Sequence, residues 1–105
     1  MDLRTRRCYE GRANVIKALA HPSRLYIVER LAEKEHCVYE LRDKIGCDMS
    51  TVSKHLSILK NAGIVQIDKR GASIYYSLRI PCVLNFSKCA DAVLQAVKEK
   101  QAGLA

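Results

Sequence analysis

Between Ile45 and Met49 the chain has only Gly46, Cys47 and Asp48 in which to leave one apolar periodic segment and enter another. Upstream, Val38, Leu41 and Ile45 recur at helical spacing, and Gly46 ends the run. Downstream, Met49, Val52, Leu56 and Leu59 keep the same period, with Asp48 or Ser50 available as a cap and Asn61-Ala62-Gly63 as a stop. Two short helices joined by a tight glycine-bearing turn have the outline of a helix-turn-helix.

The flanking segments complete the outline. Ala13, Ile16, Leu19 and Ala20 mark a first helix that His21-Pro22 stops, and a second runs from about Ser23 to Glu33 with Leu25, Val28 and Leu31 on one face. After the pair come two β-rich runs, Ile64 to Lys69 and Ser73 to Arg79, separated by Arg70-Gly71-Ala72 and read as a hairpin. Pro81 ends the second run. From about Asn85 to Lys100 a last helix carries Phe86, Cys89, Val93 and Val97 on one stripe, with Ala90 and Leu94 beside it. This order predicts a mainly α fold with a β-hairpin wing, a winged helix-turn-helix, as a single domain over residues 1–105. The apolar stripes of the terminal segments, 1–20 and 82–105, have too little of their own domain to cover them. They predict a homodimer formed through the first and last helices.

Charge narrows the partner. Lys and Arg number 18 against 11 acidic residues, a formal charge of +7, which in a small domain favours a polyanion, nucleic acid first. Residues 1–30 hold seven cations and three anions, and residues 62–81 three cations and one anion, so the excess lies at the N-terminus and around Lys69-Arg70. With the apolar positions of the fourth helix turned inward, Ser50, Thr51, Ser53, Lys54 and His55 are expected on its exposed N-terminal half. There hydroxyls and cationic donors suit the major groove of double-stranded DNA. Lys69 and Arg70 would approach the backbone or minor groove beside it. No apolar run nears the roughly 20 residues that cross a bilayer. Arg4, Arg6, Arg7 and Arg12 lead into no apolar stretch, so a cytoplasmic protein without a membrane partner is expected.

Five cysteines, at separations of 29, 10, 35 and 7 residues, form no C-x-x-C pair, and their odd number argues against a disulfide scaffold. A phosphatase-like thiol enzyme would need arginine six positions after a cysteine. Positions 14, 43, 53, 88 and 95 are Asn, Asp, Ser, Lys and Gln, so no enzyme of this kind is expected. Cys82 and Cys89 in one straight helix would stand about 10.5 Å apart along the axis, too far to share an ion. If Asn85 were the N-cap, Cys82 would belong to a bent lead-in able to fold back toward Cys89.

The blocks Ala18-Leu19-Ala20-His21-Pro22-Ser23-Arg24-Leu25, Ser50-Thr51-Val52-Ser53-Lys54-His55-Leu56 running on to Val65, Lys69-Arg70-Gly71 and Tyr75-Tyr76-Ser77-Leu78 resemble the arsenic- and metal-responsive repressors called ArsR/SmtB. The resemblance covers roughly residues 13–80. It implies a homodimeric winged-helix repressor, with no cofactor required for DNA binding, that dissociates from its operator when an inducer binds. Zinc-sensing members carry histidines on the last helix, whereas this chain has none beyond His55. Glu35-His36-Cys37-Val38-Tyr39-Glu40-Leu41 resembles the arsenite-binding stretch, with Cys37 at the first cysteine position and Tyr39 at the second. Some arsenite-responsive relatives carry cysteines where Cys82 and Cys89 stand, with another in place of Val83. A site of Cys37, Cys82 and Cys89, closed within one subunit or across the dimer, is therefore expected. Three thiolates without histidine favour As(III) or Sb(III) over tetrahedral zinc. The alternative is a redox or persulfide switch using the same cysteines. Cys8 could instead complete the Cys37 site from the N-terminal arm, as in cadmium- and lead-responsive relatives; otherwise it, like Cys47, is read as structural or incidental.

Overall fold

Local capping chemistry sets most of the helix boundaries in the computed structural model, which describes residues 1–103. Asp2 accepts the Thr5 N–H at 2.7 Å and starts α1 (Leu3–Leu19). His21 accepts the Ser23 N–H through Nδ1 at 3.1 Å, and Pro22 occupies the first position of α2 (Pro22–Glu33), where its missing N–H costs nothing. α3 (Val38–Ile45) ends at Gly46, whose φ of 81° is the left-handed conformation that closes a helix. Of the two candidate caps for α4 (Met49–Asn61), Asp48 serves. The turn between α3 and α4 is therefore the three-residue one that the sequence demands.

α2, α3 and α4 supply the centre of the core: Ile27, Val28 and Leu31, then Leu41, then Val52, Leu56 and Leu59. Ala18 and Leu19 seal it from α1, with Ile64, Val65 and Val83 from the far side. On α1 the buried pair is Ala18 and Leu19, so Ala13 and Ile16 of the expected stripe stay exposed.

The hairpin pairs β2 (Val65–Arg70) with β3 (Ser73–Leu78) in antiparallel register from Val65 opposite Leu78 to Arg70 opposite Ser73. The loop is one residue shorter than expected: Gly71 and Ala72, with Gly71 at φ 60°, the conformation a two-residue hairpin turn requires. An additional strand, β1 (His36–Cys37), pairs antiparallel with β3, giving the sheet order β1-β3-β2. Two residues are too few for any periodicity to announce them.

Beyond β3 the expectation of an Asn85 cap is overturned. A 3-10 turn, Pro81–Val83, runs directly into α5 (Leu84–Gln101), and neither start is capped by a side chain. No residue of α5 is buried. The Cα radius of gyration is 16.5 Å, against about 13 Å for a compact domain of this length. The excess is the signature of terminal helices standing away from the core. The last two residues of the expected 82–105 segment lie outside the described ones. Among the described residues no helix is long and apolar enough to cross a membrane.

Candidate nucleic-acid interface

Because Val52, Leu56 and Leu59 turn inward, α4 presents Ser50, Ser53, Lys54 and Ser57 to solvent, with Thr51 half-buried at the edge. Ser57 was not among the expected residues; its position four after Ser53 puts it on the same face. At the start of the helix Asp48 accepts the Thr51 N–H and the Ser50 hydroxyl, each at 2.8 Å. Those two bonds, the backbone one first, hold its carboxyl below the ordinary range. The N-terminus of α4 is thus already served by a carboxylate, and the Ser50 oxygen offers outward chiefly its acceptor capacity.

His55 requires a correction. The sequence places it with the exposed polar residues, whereas the structure buries it to 8% exposure. Its position is three after Val52 and four before Leu59, so helical arithmetic puts it on the core face. His55 Nδ1 lies 3.2 Å from Arg24 Nη1, and its ring centroid is 4.4 Å from that of His21. Arg24 also donates through Nε to the Ala18 carbonyl at 2.6 Å and through Nη2 to the Lys17 carbonyl at 3.5 Å. Burial, reinforced by His21 and Arg24, pushes His55 below the usual imidazole pKa. It sits at a joint inside the protein, off the solvent-facing strip of α4.

The two wing cations differ. Lys69 is exposed and makes no ion pair among the described residues. Arg70 forms a bidentate pair with Glu35, in the loop before β1, with Nη2 2.8 Å from Oε2 and Nη1 on Oε1. Its Nε reaches Asp68 at 2.9 Å, and its guanidinium lies 4.7 Å from the centre of the Tyr75 ring. Glu35 and then Asp68 raise its pKa further. Two carboxylates therefore compete with any phosphate for this side chain.

The three expected sulfur ligands are not brought together in one chain. Cys37, half-buried, caps α3, and Glu40 accepts its backbone N–H at 3.0 Å. Cys82, exposed in the 3-10 turn, lines a small apolar groove of about 150 Å³ with Val15, Ile64, Ile80 and Phe86. Cys89 is exposed on α5. Val83 (φ −58°, ψ −25°) and Leu84 (φ −65°, ψ −21°) are both helical, so the chain winds without a break from Pro81 onward. Seven residues of such winding rise about 10 Å, and the fold-back of Cys82 toward Cys89 does not occur. Among the described residues no three His, Cys, Asp or Glu side chains are placed to hold one ion. Cys47 packs against the core, and Cys8 is exposed on α1.

A polar strip on a helix beside a short hairpin, set on a helical core with bare terminal helices, defines a winged-helix DNA-binding protein. Residues 21–66 match the model of the bacterial regulatory protein family arsR. An uncharacterized HTH-type transcriptional regulator of Mycobacterium tuberculosis is 34% identical over 90 residues, covering 85% of this chain and 79% of that protein. The HTH-type transcriptional repressor SmtB of the same species is 38% identical over 73 residues, 70% of this chain and 54% of its own. A homodimeric winged helix-turn-helix DNA-binding domain from Mycobacterium bovis superposes with a TM-score of 0.79 at 28% identity, covering 95% of this chain and 93% of that one. The chain belongs to the ArsR family of HTH-type transcriptional regulators, which are DNA-binding proteins and not enzymes.

Proposed function

We propose that two copies of this chain form a repressor that holds double-stranded operator DNA in the cytoplasm. The complex dissociates when a thiophilic inducer, arsenite or antimonite, bonds to thiolates drawn from Cys37, Cys82 and Cys89. The observation that carries the DNA reading is the outward strip of Ser50, Ser53, Lys54 and Ser57 on α4, flanked by Lys69 of the wing. Dimerisation is supported by the bare apolar residues of α1 and α5, among them Leu3, Ile16, Phe86, Val93 and Val97. The M. bovis domain of similar fold is a homodimer.

The inducer reading rests on Cys82 and Cys89 being exposed on the segment that carries this apolar stripe. Among the described residues no three sulfurs come together in one chain, which favours a site shared between copies over one closed within a subunit. Three thiols displace the three hydroxyls of arsenous acid, releasing three waters and forming three As–S bonds with no change of oxidation state. A hundredfold loss of operator affinity needs only about 2.7 kcal/mol of coupling. The redox alternative loses its simplest form, because a disulfide needs Cα atoms within about 7 Å and the helical rise from Cys82 to Cys89 exceeds that.

The test is to titrate the operator-bound protein with arsenite. Wild type is expected to leave the DNA, and Cys37→Ser, Cys82→Ser and Cys89→Ser to stay bound. Release of the serine variants at wild-type arsenite concentrations would overturn the site. Release by a persulfide donor, with added sulfur on Cys37 or Cys82 by mass spectrometry and none by arsenite, would favour the redox reading.

A further inference from the structure

We propose that Arg24 and His55 are positioning residues for DNA binding: together they fasten the DNA-facing helix α4 to the C-terminal end of α1, and duplex binding draws on the neutral form of His55. This inference rests on the DNA-binding reading and adds to it a control by pH.

The last carbonyls of any α-helix lack partners within the helix, and a cation is favoured near them. Arg24 meets both needs for α1, donating to the carbonyls of Lys17 and Ala18. Its remaining terminal nitrogen, Nη1, points to His55 Nδ1 on α4. Arginine carries no acceptor, so this contact is a hydrogen bond only when Nδ1 is unprotonated and the ring proton sits on Nε2. His21, whose own Nδ1 is occupied in capping α2, closes the other side with its ring tilted 47° to that of His55. The charged or titratable groups acting on His55 are His21 and Arg24, and both oppose a positive charge there. From α1 the joint receives backbone carbonyls.

Protonating His55 removes the acceptor from Arg24 and sets a cation against a guanidinium. The joint then loosens between two surfaces that must keep a fixed angle: α1, with Leu3, Tyr9 and Ile16 bare for a second copy, and α4, with its polar strip. In a dimeric reader that angle sets the distance between the two recognition helices, which must match half-sites about one DNA turn apart. Because the folded pKa of His55 is depressed, the contribution of the joint is fully present above the unfolded histidine value of about 6.5 and is lost as pH falls from there through the lower folded value. Ordinary electrostatics predicts the opposite trend, since each protonated histidine adds a positive charge near a polyanion and strengthens binding.

That opposition supplies the experiment. Duplex affinity of the full chain is measured from pH 7.5 to 5.5 at constant ionic strength, with circular dichroism at each pH to show that the helices persist. Wild-type affinity is expected to fall about tenfold, within the usual range of site-to-site coupling. His55→Gln, whose side-chain oxygen accepts from Arg24 without titrating, is expected to keep its pH 7.5 affinity across the range. Wild-type binding that tightens on acidification, or an equal fall in His55→Gln, overturns the proposal. Should His55→Gln not fold, the His55 ring titration followed by NMR in wild type decides. A pKa lowered by duplex supports the joint, and one raised or unmoved refutes it. A chain that binds no duplex at pH 7.5 refutes the repressor reading and this inference together. One that binds there without either signature refutes the inference alone.

Discussion

Lys69 and Arg70 are neighbours at one hairpin tip, yet their side chains meet different fates. Arg70 is held by Glu35 and Asp68, and Lys69 projects without a carboxylate partner among the described residues. If DNA is to gain Arg70, a phosphate must displace Glu35, so Glu35→Gln is expected to tighten duplex binding at low salt. It should also steepen the dependence of log affinity on log salt by about one, the increment for one added phosphate contact. An unchanged slope in fluorescence-anisotropy titrations would show that Arg70 stays with its carboxylates on DNA. The cation was legible in the sequence, but its partner lies 35 residues away, where no local pattern reaches. His55 is the reverse case. The spacing Val52, His55, Leu56, Leu59 already marks the core face, whereas the polar chemistry of the imidazole by itself points to solvent. Arg24 carried no signal of its own, because a guanidinium that ties helix ends together looks, in sequence, like any surface cation.

At the level of elements, the helix-turn-helix was the most readable part, since three residues between two apolar periods leave few geometries. Gly46 and Leu41 separate the two forces that hold it. An added Cβ at Gly46 meets nothing, so Gly46→Ala suffers only the left-handed backbone at φ 81°, a cost of about 1–2 kcal/mol. Leu41 is fully buried among α2, α3 and α4, and Leu41→Ala is expected to cost about 2–5 kcal/mol through lost transfer energy and the cavity left behind. Urea unfolding of both variants checks the order; a larger loss at Gly46 would mean that the turn does more than permit a conformation. Elements without such redundancy were missed or misplaced. β1 is a two-residue strand defined by its partner β3. The start of α5 lacks a side-chain cap, so the Asn85 signal had nothing to outweigh except a 3-10 turn that no pattern predicts.

For the whole molecule the telling fact is apolar surface left bare by a chain that is otherwise well packed. A domain of this size buries a modest fraction of its surface and has little stability to spare. Yet α5 buries none of its residues, and Val93, Leu94 and Val97 stand open beside Phe86. Val93 is 62% exposed in the single chain, so a glutamate there would cost an isolated subunit little. In a dimer built on α1 and α5 it would place an unpaired charge within apolar contacts, which is costly. Val93→Glu is therefore expected to sediment as a folded monomer at concentrations where wild type is a dimer. Its operator affinity should fall by at least a hundredfold, about 2.7 kcal/mol, because each half-site must then be bound separately. Near-native circular dichroism with a monomeric mass would place the loss in assembly and not in folding. A Val93→Glu protein that remains dimeric and binds DNA as wild type would move the subunit contact off α5. The shared sulfur site would then lose its basis, since Cys82 and Cys89 reach a second copy only through that helical segment.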